Sequence, residues 1–415
     1  MPEDIHIHEF DNGLVLLAEP IEWFESAAFS LLVPAGACHD PADQLGLSNF
    51  LAEMVQRGAG RRNSREFVTD LELLGADAST SVTNAHVHFG GAMPAESLLE
   101  VLSIYADVVR RPQLPSDQLE DGRAVCLQEI REIEDDLGQR AIQEVKRLQY
   151  GEPYGRNASG SAESIHTVQL ADLLHHFEDF YRPGGAILSV VGKIDWPRVT
   201  EHVETLFTDW QPKAAAPLLE VPSADRYRHL THDSSWTYIA ISNPAVPYSD
   251  KRYPESRAAV GALGDGLRSR LFTELWTKRE LCDWASYATV HTLRDRGCVT
   301  CYAAAESNRA QEALAVLLGE IHRLAHGIET NELEAVKAGL KFSSVRQLES
   351  SPGRSSSLAA DWYHLGRVCG RHDFRDAVDD LTCDRVNAYL ATNPPRDFRV
   401  VTLGRQPLET NLGIP

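Results

Sequence analysis

The order of patterned segments repeats across a Pro/Ala-rich break, and this repetition limits the fold more than any other feature. The opening, Ile5 to His8 and Leu14 to Leu17 around the Asp11-Asn12-Gly13 turn, reads as a hairpin. AAFSLLVP (27–34) reads as a buried strand. After a loop, AGACHDPADQ, helices are expected near 46–58 and 64–74, strands around 77–92 and a helix near 95–109. A stretch rich in Glu, Arg and Leu from about 115 to 147 is expected to be helical. ILSVVGKID (187–195) is strand into loop, and WPRVTEHVETLF (196–207) is a helix. The segment DWQPKAAAPLLEVPSADR (209–226) has no periodicity and reads as a linker. Beyond it the order resumes. WTYIAISNPA is a strand, ESRAAVGALGDGLRSRLFTELW is helical, and WASYATVHTL and GCVTCYAAAE are strands. QEALAVLLGEIHRLAHG and NELEAVKAGLKFSSVRQLES are helices, and RVVTLG is a final strand. A length of 415 residues suits two domains. The expectation is an α+β chain with two related domains, each a mostly antiparallel sheet packed with helices. They span 1–210 and 226–415, with a linker at 211–225.

GLSNFLAEMVQRG (46–58) carries the most pointed pattern. As a helix it places Leu47, Phe50, Leu51 and Met54 on one apolar stripe. Asn49, Ala52, Glu53 and Gln56 then share the opposite face. Asn49, Ala52 and Glu53 have the spacing of an H-x-x-E-H motif, in which two histidines hold zinc and a glutamate activates water. No histidine is present.

Net charge is −20, which argues against a nucleic-acid partner, because phosphate binding needs a basic surface. No basic region followed by an apolar stretch opens the chain, and no run of about 18 apolar residues occurs, so neither a signal peptide nor a membrane span is expected. Seven scattered cysteines suit free thiols in a reducing compartment, and the cytoplasm is the expected location.

Other motifs have bland readings. Cys298 and Cys301 form a C-x-x-C in a strand-like run, where their thiols face apart and pack. His322 and His326 lie one turn apart, just before Gly327, where histidine suits a helix C-terminus. The pairs His6/His8 and His86/His88 each share a strand face and read as solvated or satisfied side chains. His175 and His176 face apart on a helix. LGDGLRSRLF lacks the pattern of a phosphate loop, and no G-x-S-x-G elbow exists.

AGACHDPADQLGLSNFLAEMVQRGAGRR resembles the region around the inverted zinc motif of the pitrilysin-type (M16) metallopeptidases. FDNGLVLL is similar to that family's first strand, and LLGADASTSVTNAHVHF to its NA-x-T strand beside the active site. AVCLQEIREIEDD resembles the helix that carries the last zinc ligand, and YRPGGAILSVVGKIDWPRV the end of the first domain. DGLRSRLFTELWTKRELCDWASYA resembles the S-R-L-F…R…G-L-x-Y segment of the second. The size and plan resemble the dimer-forming branch that includes the mitochondrial processing peptidase subunits and bacterial relatives.

The resemblance implies a degenerate site. Asn49 stands for the first histidine ligand, Ala52 for the glutamate and Glu53 for the second histidine, while Glu129 falls on the last ligand. Trp276 stands for the substrate-binding arginine and Asp283 for the tyrosine. Ser79-Thr80 replaces the NA, on a strand expected to be a peptide-binding edge. Two carboxylates and one amide could hold Mg²⁺ or Ca²⁺ weakly but could hardly retain zinc, so no cofactor is expected. The carboxylates should take up a proton or pair with a basic side chain. The function implied is a non-catalytic subunit that pairs with an M16 chain carrying H-x-x-E-H, forming a peptide-processing chamber. The alternatives are an enzyme with shifted ligands, drawing on His39 or His86, or a stand-alone peptide-binding homodimer.

Overall fold

Leu14, Val15, Leu16 and Leu17 are all buried, although neighbours on a strand point to opposite faces. A strand can be apolar on both faces only where both faces of its sheet are covered. That requirement organises this chain. A computed structural model describes residues 5–214, 217–282, 286–370 and 372–410. The elements begin with β1 (His6–Glu9), β2 (Val15–Pro20), β3 (Ser26–Val33) and α1 (Leu47–Met54). A short ladder, β4 (Gly58–Ala59) with β5 (Arg62–Asn63), and α2 (Ser64–Leu73) lead to β6 (Asp77–Val82) and β7 (Val87–Pro94). Then come α3 (Leu98–Arg110), α4 (Leu119–Asp135), α5 (Leu137–Tyr150), α6 (Ala162–Thr167), α7 (Leu170–Phe180), β8 (Ile187–Gly192) and α8 (Trp196–Phe207).

The second half runs β9 (Tyr227–Thr231), β10 (Trp236–Ala245), α9 (Tyr253–Gly264), a π-helical turn (Phe272–Thr277), β11 (Tyr287–Thr292) and β12 (Gly297–Glu306). It ends with α10 (Ala310–Leu324), α11 (Thr330–Leu348), α12 (Ser351–Leu365), α13 (Asp373–Asp379), α14 (Cys383–Thr392) and β13 (Arg399–Gly404). The stretch expected as one helix over 115–147 is two. Asp136 starts the second by accepting a hydrogen bond from the Gln139 amide. The expected helix from Glu255 to Trp276 also breaks, at Asp265-Gly266, where Gly266 takes a positive φ.

The fold is α+β with two separate main sheets. The first is ordered β1-β2-β8-β3-β7-β6 and the second β11-β12-β10-β13-β9. Read from β2 and from β9, the two sheets share one plan. The first pair, β2–β8 or β13–β9, is parallel and every later pair is antiparallel. Among the described residues, the second sheet has no counterpart of β1.

Two compact units form, and neither is a contiguous half of the chain. One comprises residues 1–132, 156–219 and 346–371, and the other 133–155, 220–345 and 372–415. Relative to the expected halves, α5 and α12 are exchanged. In the first unit, Leu14 and Leu16 face a core that includes α1 and α3, whereas Val15, Leu17, Ile187 and Val191 pack with Leu358 and Ala359 of α12. In the second unit, Ile239, Ile241 and Val400 face the main core, and Ala240, Val401 and Leu403 pack on Ala141, Val145 and Leu148 of α5. An ion pair fastens each exchanged helix. Arg354 of α12, 1% exposed, bonds Glu19 of β2, and Arg228 of β9 bonds Glu144 of α5 at 2.7 Å.

Removing Arg354 takes a counterion from the buried Glu19 carboxylate. Arg354→Ala should destabilise the chain by about 3–5 kcal/mol, and Glu19→Leu with Arg354→Met should recover most of that loss. Denaturant unfolding midpoints of the three proteins check this.

Candidate functional site

Helix α1 carries the candidate site and is held at its N-terminal end. Gly46 precedes it with φ 93°, and a Cβ there would lie 2.7 Å from the Ser159 carbonyl oxygen, so glycine is required. Asp40 acts as a remote cap. Its carboxylate accepts from the Gly46 amide at 2.7 Å, the Ser48 amide at 2.8 Å and the Ser48 hydroxyl at 2.6 Å. Leu47, Phe50, Leu51 and Met54 are buried, as the stripe requires. Ala52 is also buried, at 3% exposed, although its spacing puts it on the polar face. β6 packs on that side, where the Thr80 hydroxyl donates to Gln56 Oε1 at 2.9 Å.

The second wall is α4. Gly122 sets its approach, because a Cβ there would meet Met54 Sδ at 2.6 Å, Phe50 Cε2 at 3.2 Å and Arg57 Nε at 3.3 Å. Asn49 and Glu129 are thereby brought together, and Asn49 Nδ2 donates to Glu129 Oε2 at 2.8 Å. A carboxylate only accepts, so the amide presents its NH₂ end. Glu53 turns to Arg57, four residues on, whose Nε and Nη2 reach Glu53 Oε1 at 2.9 and 2.7 Å. Arg57 is thus a basic partner of Glu53, whereas Glu129 is paired with the Asn49 amide. Burial pushes the nearby Cys126 thiol up to about 12, with Glu129 and Glu53 adding to the shift and Arg57 opposing it. All four groups therefore sit within one local field.

This donor set does not fit zinc. The Asn49 nitrogen cannot ligate while it donates, the Glu53 oxygen is engaged by a guanidinium, and no imidazole or thiolate joins them. Among the described residues, no three His, Cys, Asp or Glu side chains converge as metal ligands. His39 stacks on Phe180 with centroids 4.4 Å apart, and His86 meets the Tyr363 ring edge-on, also at 4.4 Å. Ser79 and Thr80 lie on β6, one of the two edge strands of the first sheet. Trp276 lies in the π-helical turn, 40% exposed, and Asp283 falls outside the described residues. Cys298 and Cys301 are buried free thiols on β12.

Two family models match the chain. "Insulinase (Peptidase family M16)" covers residues 19–160, and "Peptidase M16 inactive domain" covers 167–340, a stretch that lies outside the α1–α4 site. The chain belongs to peptidase family M16. Among its relatives, an "Uncharacterized zinc protease" of Rickettsia felis is 20% identical, over 93% of this chain and 94% of the relative. One of Bacillus subtilis, YmxG, is 22% identical over 94% and 96%. Two solved structures share the fold. A peptidase M16 inactive domain from Pseudomonas fluorescens has a TM-score of 0.89 at 19% identity and covers 98% of this chain and 100% of its own. A protease from Helicobacter pylori has a TM-score of 0.87 at 19% identity, with the same coverage.

Beneath the M16 helix lies a polar cluster that sequence reading missed. The Ser48 hydroxyl, which donates to Asp40, also meets His176 Nε2 at 3.0 Å, so it accepts there from an Nε2–H tautomer. Burial pushes Asp40 up to about 6 against the hydrogen bonds from Ser48 and Gly46. Burial, with His39 adding to it, pushes His176 from 6.5 down to about 3. The only sequence signal was an Asp six residues before Gly46 and eight before Ser48, at a glycine-started helix.

The folded chain refuses a proton at His176 that the unfolded chain accepts below 6.5. Its stabilising share is full above 6.5 and is lost as pH falls toward about 3. His176→Gln should flatten the acid slope of stability by about one proton. Denaturant midpoints measured across this window check the slope.

Proposed function

We propose that this chain is a non-catalytic M16 homologue. It holds no catalytic zinc and works by pairing with an M16 chain that carries H-x-x-E-H, forming a peptide-processing chamber with it. One observation carries the reading. The three family ligand positions are spent on side chains, Asn49 on Glu129 and Glu53 on Arg57. Ala52 brings no carboxylate to deprotonate an attacking water, so metal alone would not restore hydrolysis. Trp276 and Asp283 replace the arginine and tyrosine that the resemblance assigns to substrate binding. The contribution to a pair is then a wall and a peptide-binding edge. β6, with Ser79 and Thr80, supports this role, because an edge strand offers backbone groups to an extended peptide. No helix among the described residues is long and apolar enough to cross a membrane. Cysteines that are all free suit the cytoplasm as the compartment.

The test is a mixing experiment with the H-x-x-E-H homologue of the same organism. A complex should form at micromolar concentration, bury more than about 1,000 Å² and alter the partner's peptide cleavage rate. No complex and an unchanged rate would sink the proposal. Self-association without effect on the partner would favour a peptide-binding homodimer instead.

A second measurement addresses the metal. Elemental analysis of the purified chain should find no stoichiometric zinc. Asn49→His with Glu53→His, beside Glu129, should raise the content to about one per chain, since catalytic zinc sites use three protein ligands. Adding Ala52→Glu supplies the base, yet cleavage should still lag because the substrate grip is missing. Stoichiometric zinc in the natural chain would contradict this reading.

A further inference from the structure

The linker is pinned at both ends and loose between them. At its start Trp210 is buried, and its Nε1 donates to the Tyr181 carbonyl at 3.0 Å. Asn12 Nδ2 donates to the Trp210 carbonyl at 3.3 Å. At its end, Val221 and Glu152 exchange two backbone hydrogen bonds of 2.8 and 2.9 Å. Gly151 permits that approach, since a Cβ there would lie 2.5 Å from the Val221 carbonyl oxygen. Arg296 holds Glu220 through two bonds of 2.9 and 3.0 Å. Between these anchors, residues 211–214 and 217–219 have no regular structure, and none of them makes a backbone hydrogen bond. Gln211, Pro212, Lys213, Ala214, Pro217 and Leu219 are exposed. Drawing such a segment into the cleft of an endopeptidase breaks few native contacts.

We propose that the linker, at 211–214 or 217–219, is a proteolytic processing site, and that a cut there leaves a two-chain protein with both units intact. The chemistry is hydrolysis of one peptide bond by an endopeptidase acting in trans. Water adds across the C–N bond, leaving a carboxylate on the first fragment and an amine on the second. The exchange of helices holds the product together. The first fragment carries α5 into the second unit, and the second fragment carries α12 into the first. In the first unit, Leu358 and Ala359 of α12 pack across the cut with Val15, Leu17, Ile187 and Val191. In the second, Ala141, Val145 and Leu148 of α5 pack with Ala240, Val401 and Leu403, and Ile142 packs with Tyr302 and Ala304. The Tyr150 hydroxyl donates to the His291 carbonyl at 3.0 Å. The pairs of Arg354 with Glu19 and Arg228 with Glu144 also join one fragment to the other. Two contiguous domains would separate at such a cut. Here separation bares an apolar sheet face in each unit, so the intact linker adds only effective concentration to a pairing that the helices already secure.

The test uses the full chain with the recognition sequence of a site-specific endopeptidase inserted after Ala214, cut to completion and compared with uncut protein. In size-exclusion chromatography at about 1 µM the two fragments should co-elute at the position of the uncut chain, with a dissociation constant below about 1 µM. The thermal midpoint of the cut protein should rise with protein concentration more steeply than that of the uncut protein, because unfolding now separates two chains. Leu358→Ala, in the α12 cover, should weaken the pairing of the fragments about tenfold or more. In the natural chain, the first internal cut by a broad-specificity endopeptidase, located by mass spectrometry, should fall between residues 211 and 219. Separation of the fragments at that concentration in native buffer, pairing unaffected by Leu358→Ala, or a first internal cut elsewhere overturns the proposal.

Discussion

A sheet whose strands are apolar on both faces must be covered twice, and here one cover in each unit comes from across the expected domain break. β2, β8 and β3 in the first unit and β10 and β13 in the second would each present a bare face without α12 and α5. Burial of a single Leu or Val side chain contributes about 1.5–3 kcal/mol, so the exchanged helices decide whether either unit is stable. The ion pairs of Arg354 with Glu19 and of Arg228 with Glu144 then fix which helix sits where, because a misplaced helix leaves a charge without its counterion. The same device appears twice with the polarity reversed, the cation on the helix in one unit and on the strand in the other.

This frame explains how the candidate site keeps its shape with altered chemistry. α1 is positioned by Asp40, Gly46 and the contact at Gly122, none of which depends on a bound ion. The two helices that an M16 zinc site would bridge are joined by Asn49 and Glu129. Neither side of this link is a metal ion, so it is indifferent to chelators.

Much of this was legible in the sequence. The stripe Leu47, Phe50, Leu51, Met54 has helical period, and the hairpin β1–β2 follows from its Asp-Asn-Gly turn. The positions of Asn49, Ala52, Glu53 and Glu129 came from resemblance, and in the structure Asn49 donates to Glu129. Arg57 was readable as the i+4 partner of Glu53 once a pairing cation was required. Other features were hidden for physical reasons. α12 buries Arg354, Ser355, Leu358, Ala359 and Asp361, a mixture of small and charged groups without an apolar stripe, and only Ser350 and Pro352 hinted at its start. The exchange of α5 and α12 is a long-range pairing that no local window can contain. Asp40 and His176 meet only because α7 packs on α1.

The separation along the chain between β8 and α12 also sets a schedule for synthesis. When residue 210 has been made, the first sheet has all its strands, but the face formed by Val15, Leu17, Ile187 and Val191 has no lid. At roughly 5–20 residues per second, the roughly 150 further residues up to the end of α12 take about 8–30 s. For that interval an apolar surface built from the first half faces the ribosome exit and whatever chaperones wait there.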